Sequence, residues 1–174
     1  MKPRACRQKG VRGEDEAAVI LGHWYYNNPL ALCRTHGSRG RKGFKDQKGD
    51  IGIAKSELPY PWAFCVEVKF QEGWNLDSLV YQGPTSKVVE YWNQCLDATP
   101  PKKIPMLMMK KKYHPWIIGL KASHVYLYHM HVRAFEITSV VYTPLDLMLF
   151  DVEILLVETL AEGWRTVRRL LNAQ

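Results

Sequence analysis

The sequence predicts a mixed α/β fold, one β-sheet flanked by helices, and three observations support it. A chain of 174 residues has room for one packed core. Stretches with helical periodicity near both ends and around residues 85–96 alternate with apolar runs of strand length. Hydrophobic residues make up 47% and charged residues 24%, a globular balance. No apolar run reaches the roughly 18 residues needed to span a bilayer. The basic amino terminus has no apolar stretch behind it, so no secretory signal is expected.

The elements follow in order. Gly13 to Tyr26 predicts a helix, with Ala17, Ile20, Leu21 and Trp24 at helical spacing. Glu14, Asp15 and Glu16 would occupy its first turn, where the helix dipole favours acids. Leu30 to Thr35 suits a short strand. Gly37 to Gly49 holds four glycines and five basic residues, too polar and too glycine-rich for a core, and predicts a basic loop. Asp50–Ala54 and Ala63–Phe70 read as strands, and Thr85–Leu96 as an amphipathic helix through Val88, Val89, Tyr91, Trp92 and Leu96. Ile104–Met109 is the next strand, and Trp116–Leu120 extends the sheet. Tyr126–Phe135 and Ile137–Tyr142 are expected to be β-rich, Pro144 to start a helix, and Leu155–Leu171 to form the last helix.

The charge is uneven. Lys and Arg number 24 against 17 Asp and Glu, giving +7. Residues 1–50 hold 11 basic and 5 acidic side chains, and the remaining residues 13 and 12, so +6 of the +7 lies in the first 50 residues. A second cluster, Lys110-Lys111-Lys112, follows Lys102 and Lys103. Two separated basic patches fit a polyphosphate track better than a small-molecule pocket, although a solvated lysine face would look the same. Cysteines at 6, 33, 65 and 95 form no Cys-x-x-Cys pair, which suits neither a zinc ribbon nor a disulfide scaffold and points to a reducing cytoplasm.

The candidate chemistry lies in the strand charges. Glu67 and Lys69 alternate with Val66, Val68 and Phe70, so both charges share one strand face. Charges in an apolar strand are costly unless paired or used. Antiparallel pairing with the strand that begins at Asp50 would set Asp50 beside Glu67. Two close carboxylates repel each other, and a divalent cation with hard oxygen ligands, Mg²⁺ or Mn²⁺, relieves that. The alternative is a structural ion pair between Glu67 and Lys69.

Asp50, with Glu67-Val68-Lys69 following 17 positions later, resembles the signature of PD-(D/E)xK nucleases. Lys9-Gly10-Val11-Arg12-Gly13-Glu14-Asp15-Glu16 resembles the opening of archaeal Holliday junction resolvases of the Hjc type. Gly37-Ser38, followed by Arg39, Arg41 and Lys42, matches that family's mobile basic segment. The likeness runs from residue 9 to about 112. It implies a restriction-endonuclease-like domain over 1–174, with its core at about 9–120 and an extension, 121–174, of unassigned role. Two departures stand out. Gly49 replaces the signature proline, and the long segment before Asp50 makes Asp46 a rival acid. Asp50 is preferred because it opens a plausible strand.

The resemblance implies Mg²⁺-dependent hydrolysis of DNA phosphodiesters, with Mn²⁺ as a substitute. Glu14, Asp50 and Glu67 would hold the metal, Lys69 would steer the attacking water or the phosphate charge, and Ser38 would approach the phosphate on its loop. Lys9, Arg12, Arg39, Arg41, Lys42, Lys45, Lys110, Lys111 and Lys112 would contact DNA. The implied substrate is a four-way junction, cut in pairs by a homodimer in the cytoplasm, the host's if the chain is viral. The apolar surplus of Trp116–Leu120 and Leu145–Leu156 would form the dimer interface. Alternatives are action on other DNA substrates and a DNA-binding module without chemistry.

Other features carry less. His129 and His131 on one strand face, with His124 near by, could edge a zinc site, but no third ligand has suitable spacing. Cys33 and Cys65 read as small core residues. Trp62, Trp74, Trp92, Trp116 and Trp164 are scattered as core residues are, and Gln94 suits a solvated helix face.

Overall fold

The computed structural model describes residues 3–35, 48–54, 57–131, 139–158 and 161–173. Helix α1 runs from Pro3 to Tyr26. Strands β1 (Leu32–Arg34) and β2 (Ile51–Ile53) pair antiparallel as a small ribbon. The main sheet holds β3 (Phe64–Phe70), β4 (Ile104–Lys110), β5 (Ile117–Lys121), β6 (Ser139–Tyr142) and β7 (Leu147–Asp151) in the order β3-β4-β5-β7-β6. Helices α2 (Ser78–Tyr81) and α3 (Lys87–Ala98) form the crossover that makes β3 and β4 parallel, and the other pairings are antiparallel. Helix α4 (Ala122–His131) follows β5, and α5 (Val152–Glu158) and α6 (Ala161–Leu171) end the chain. The expected mixed sheet flanked by helices is what the chain forms.

Strand alternation divides the core in two. Phe64, Val66, Val68, Met106, Met108, Ile118, Leu120, Met148 and Phe150 face one way and pack with Ala17, Leu21, Val125 and Trp164 from the helices. Leu107, Met109, Leu147 and Leu149 face the other way, under Val88, Val89, Trp92 and Cys95 of α3. A β-carbon on Gly119 would lie 3.1 Å from Leu149 and 3.3 Å from Leu107, so glycine lets the layers close on that face.

Ser86 caps α3 by accepting the Val89 N–H, 3.3 Å. Helix α1 stops at Asn27, whose φ of +52° turns the chain, while the Asn28 N–H donates back to the Gly22 carbonyl, 3.2 Å.

Several expectations need correction. Helix α1 begins ten residues before Gly13, so Glu14–Glu16 lie in its interior rather than its first turn. Gly13 does not break it, because α1 crosses the end of β3 there and a β-carbon would lie 2.5 Å from Phe70 Cβ. Residues 122–131 are helical, not β. The aromatic alternation of Tyr126 and Tyr128 mimics a strand, yet Ala122, Val125 and Tyr128 form the buried helical stripe. The cap of α4 comes from far along the chain: Asp146 accepts the Ser123 N–H at 2.8 Å and its hydroxyl at 2.5 Å. His129 and His131, two apart on a helix, do not share a face, and no group of three His, Cys, Asp or Glu side chains among the described residues could hold a metal ion.

Pro144 lies in a 3₁₀ turn, Thr143–Leu145, that leads into β7 rather than a helix. A short apolar run such as Leu147-Met-Leu-Phe150 suits either structure, and its slot between β5 and β6 decides. Buried strands β5 and β7 therefore consume the apolar surplus expected at a dimer interface: Trp116 is 3% exposed, and Ile118, Leu120 and Leu147 are fully buried.

The distant cap of α4 predicts a measurable loss. Asp146→Ala removes the acceptor and leaves alanine at a φ of +50°, which should lower stability by about 1–3 kcal/mol in urea unfolding. Asp146→Asn, which keeps an acceptor and tolerates that backbone, should recover most of it.

Candidate active site

The site forms at β3. Val66 and Val68 point into the core, which turns Cys65, Glu67 and Lys69 to the α3 side. Lys69 Nζ lies 2.6 Å from Glu67 Oε1, and the two side chains are 18% and 17% exposed. The aromatic ring of Tyr91 on α3 lies 5.4 Å from the same ammonium. Burial pushes the Tyr91 phenol up from its usual range, so the ring faces Lys69 as a neutral cation–π partner.

Asp50 reaches this strand from β2 without ladder pairing. Its N–H donates to the Val66 carbonyl at 2.7 Å, and its Oδ2 accepts the Val68 N–H at 2.8 Å. The expected antiparallel pairing of the two strands is thus replaced: β2 pairs with β1, and Asp50 bridges to β3. The result still sets Asp50 beside the Glu67 backbone. Burial, then the Glu67 and, more weakly, Asp50 charges push the Cys65 thiol up, so both carboxylates act on one buried neighbour.

Gly49 makes the bridge possible. Its φ is +86°, and a β-carbon there would lie 2.8 Å from the Val66 carbonyl oxygen. Proline, locked near −65°, cannot adopt that backbone, which gives the departure from the signature a physical reason.

The other candidates are distributed unevenly. Glu14 sits on α1 next to the Gly13–Phe70 crossing, half-buried. Since no three acids meet among the described residues, the described structure brings together Asp50, Glu67 and Lys69 and does not add Glu14 as a direct third ligand. Ser38, Arg39, Arg41, Lys42, Lys45 and Asp46 lie outside the described residues. Lys9 lies on α1, and Arg12 on the same helix is exposed.

Lys110 turns inward. It pairs with Glu16, which also accepts the Trp116 indole N–H at 2.9 Å. Burial pushes the Glu16 carboxyl up, but the Lys110 and Trp116 hydrogen bonds outweigh it and hold the group below its usual range. Lys111 and Lys112 lie over the Trp74 and Tyr113 rings, at 4.9 and 4.5 Å. Gln94 is exposed and reaches only Glu90, at 3.5 Å.

Sequence reasoning missed the roles of Tyr91 and of the Glu16–Lys110–Trp116 group. Tyr91 was legible only as an apolar helix position, and the partners of Glu16 lie 94 and 100 positions away.

The donor set fits a hard divalent cation. It offers two carboxylates, and the described residues give Glu67 Oε2 no partner. The joint at Gly49 predicts that Gly49→Ala destabilises by about 1–3 kcal/mol in urea unfolding, because strained φ and a backbone clash coincide. An unchanged midpoint would show that the turn is not constrained as described.

The chain is 29% identical over 118 residues to Protein D14 of Escherichia phage T5, covering 67% of this chain and 71% of that protein. No solved structure matches. Residues 5–168 match the family described as "Phage putative PDDEXK endonuclease", whose wider superfamily generally uses divalent metal ions. With that match spanning nearly its whole length, the chain belongs to this phage family of PDDEXK endonucleases.

Proposed function

We propose that this protein is a Mg²⁺-dependent endonuclease that resolves branched DNA, four-way junctions first, in the host cytoplasm. The observation behind the chemistry is the convergence of Asp50 and the Glu67–Lys69 pair on one edge of β3. The choice of junction rests on the Lys9-to-Glu16 opening and its likeness to junction resolvases.

Asp50 and Glu67 would hold the ion, with Glu14 contributing through water. When bound, Mg²⁺ (or Mn²⁺) supplies acidity to a water and positive charge to the scissile phosphate. The chain's own residues do the rest. The Val68 N–H fixes Asp50, and Glu67 and the Tyr91 ring together fix the Lys69 ammonium. A cation held in place before substrate arrives can donate to the attacking water or a phosphate oxygen without reorganising. Lys9, Arg12, Lys111 and Lys112 would take phosphates, as would Arg39, Arg41, Lys42 and Lys45, with Ser38 approaching the scissile phosphate. Lys110 is instead assigned to holding Glu16 and α1 against the sheet.

Glu67→Gln, Asp50→Asn and Lys69→Ala should each lower cleavage by at least 100-fold, the scale of losing one positioned charge in the transition state. DNA binding should persist. The assay is Mg²⁺ with a panel of four-way, flap, nicked and linear DNA. Preference for linear ends over junctions would reject the substrate, and cleavage lost in Asp46→Asn but kept in Asp50→Asn would reject the choice of acid.

Paired cutting of a junction needs two sites of like polarity, and each chain carries one, so the active species would be a two-fold homodimer. Light scattering at micromolar concentration should give twice 20.2 kDa. A strict monomer that makes paired symmetric cuts would overturn this.

A further inference from the structure

A second cationic site lies away from the carboxylates. At the amino end of β4 a cavity of about 250 Å³ is lined by Lys102, Lys103, Lys121, His124 and Arg168, with no Asp or Glu in its wall. A neighbouring cavity of about 280 Å³ shares Arg168 and adds Arg165 and Arg169, against one acid, Glu162. Helix α6 stands between them.

The lysines and arginines are held but not neutralised, whereas burial pulls the His124 imidazole down to about 4, so it lines the wall as a neutral group. Among the described residues, none of those cations has a carboxylate within ion-pair distance. Lys103 donates to the Trp62 carbonyl, and Arg168 Nε donates to the Lys102 carbonyl at 2.9 Å, which leaves its two terminal nitrogens without a partner among the described residues. Arg165 lies 3.6 Å from the Tyr60 ring centroid, with Nη1 buried and unpartnered. Burial, with Arg168 near by, pulls the Lys103 ammonium down to about 8. Asp146 faces His124, but its carboxylate is already engaged by Ser123. Like charges gathered in a concave, partly desolvated wall repel each other until an anion enters.

The position is informative. Lys103 also lines a smaller cavity with Lys48, Ile51 and Ile53, next to the Asp50 turn. Phe64, opposite Ile104, precedes Glu67 by three residues, a distance of about 10 Å along the strand. At about 3.4 Å of axis per nucleotide, roughly three phosphates of one DNA strand span that gap.

We infer that α6, the turn before β4 and Lys121 form a phosphodiester-binding surface that holds the DNA backbone about three nucleotides from the cut. This gives part of residues 121–174 a role in substrate binding, and it rests on the DNA-nuclease reading above.

The test is fluorescence anisotropy of the full chain with a four-way junction across a KCl series. The variant is Lys121→Gln/Arg168→Gln/Arg169→Gln, and Lys87→Gln on α3 is the control. The triple variant should bind at least tenfold more weakly at 0.1 M KCl, with a log–log salt slope shallower by about 2–3, at roughly 0.9 for each phosphate no longer neutralised. Arg168→Lys, which keeps the charge, should lose little, and circular dichroism and melting should show all variants folded. A triple variant that is folded and binds like wild type overturns this surface while leaving the nuclease reading intact. Wild type that binds no DNA overturns both. Saturation of wild type by micromolar inorganic phosphate, read by melting, would mean that free phosphate rather than a polynucleotide fills the cavity and would overturn the proposal.

Discussion

The structure depends on a one-residue joint. Asp50 gives its N–H to Val66 and takes the N–H of Val68 on its carboxylate, so one residue joins the β1–β2 ribbon to the edge of the main sheet by two hydrogen bonds. The joint is possible only because Gly49 adopts a φ of +86° within 2.8 Å of the strand. Fold and candidate site share these bonds. The hydrogen bonds that locate the ribbon also locate the acid, and the pleat that sends Val66 and Val68 inward sends Glu67 and Lys69 to the site.

Around that joint the helices divide the work. On one face α1 crosses the end of β3 at Gly13 and is held there by Glu16, which ties Lys110 of β4 and Trp116 to the helix. On the other face α3 fills the second core and lends Tyr91 to the site. Helix α6 buries Trp164 in the first core, lays Arg165 over Tyr60 and carries Arg169 outward. Each helix therefore has a face committed to packing and a few residues left for charge.

Much of this was legible in the sequence, and the parts that were not share a cause. Strands β3, β4 and β5 and helix α3 appear at their expected places because apolar periodicity and the Ser86 cap are local signals. That Glu67 and Lys69 share a face was legible because alternation in β3 is a local rule, whereas Asp50 reaches that strand through a turn rather than the expected antiparallel ladder. Helix α4, strand β7 and the early start of α1 were not legible. Each is decided by a distant partner: Asp146 capping Ser123, the slot between β5 and β6, and Phe70 against Gly13. The inward turn of Lys110 likewise depends on an acid 94 positions away, which a run of three lysines cannot reveal.

The joint at Asp50 has a further consequence for solubility. β3 ends the sheet on one side, and a bare edge of that kind invites strand addition from a second chain. Asp50 occupies the outward carbonyl of Val66 and the outward N–H of Val68, as a neighbouring strand would. The acid is thus also a plug. At the opposite edge β6 has no such cover from a described strand, and it presents Val140 and Val141 at 44% and 42% exposure. Strand pairing is blocked beside the candidate site and left to β6, so the edge prone to aggregation lies a whole sheet's width from the Asp50 joint.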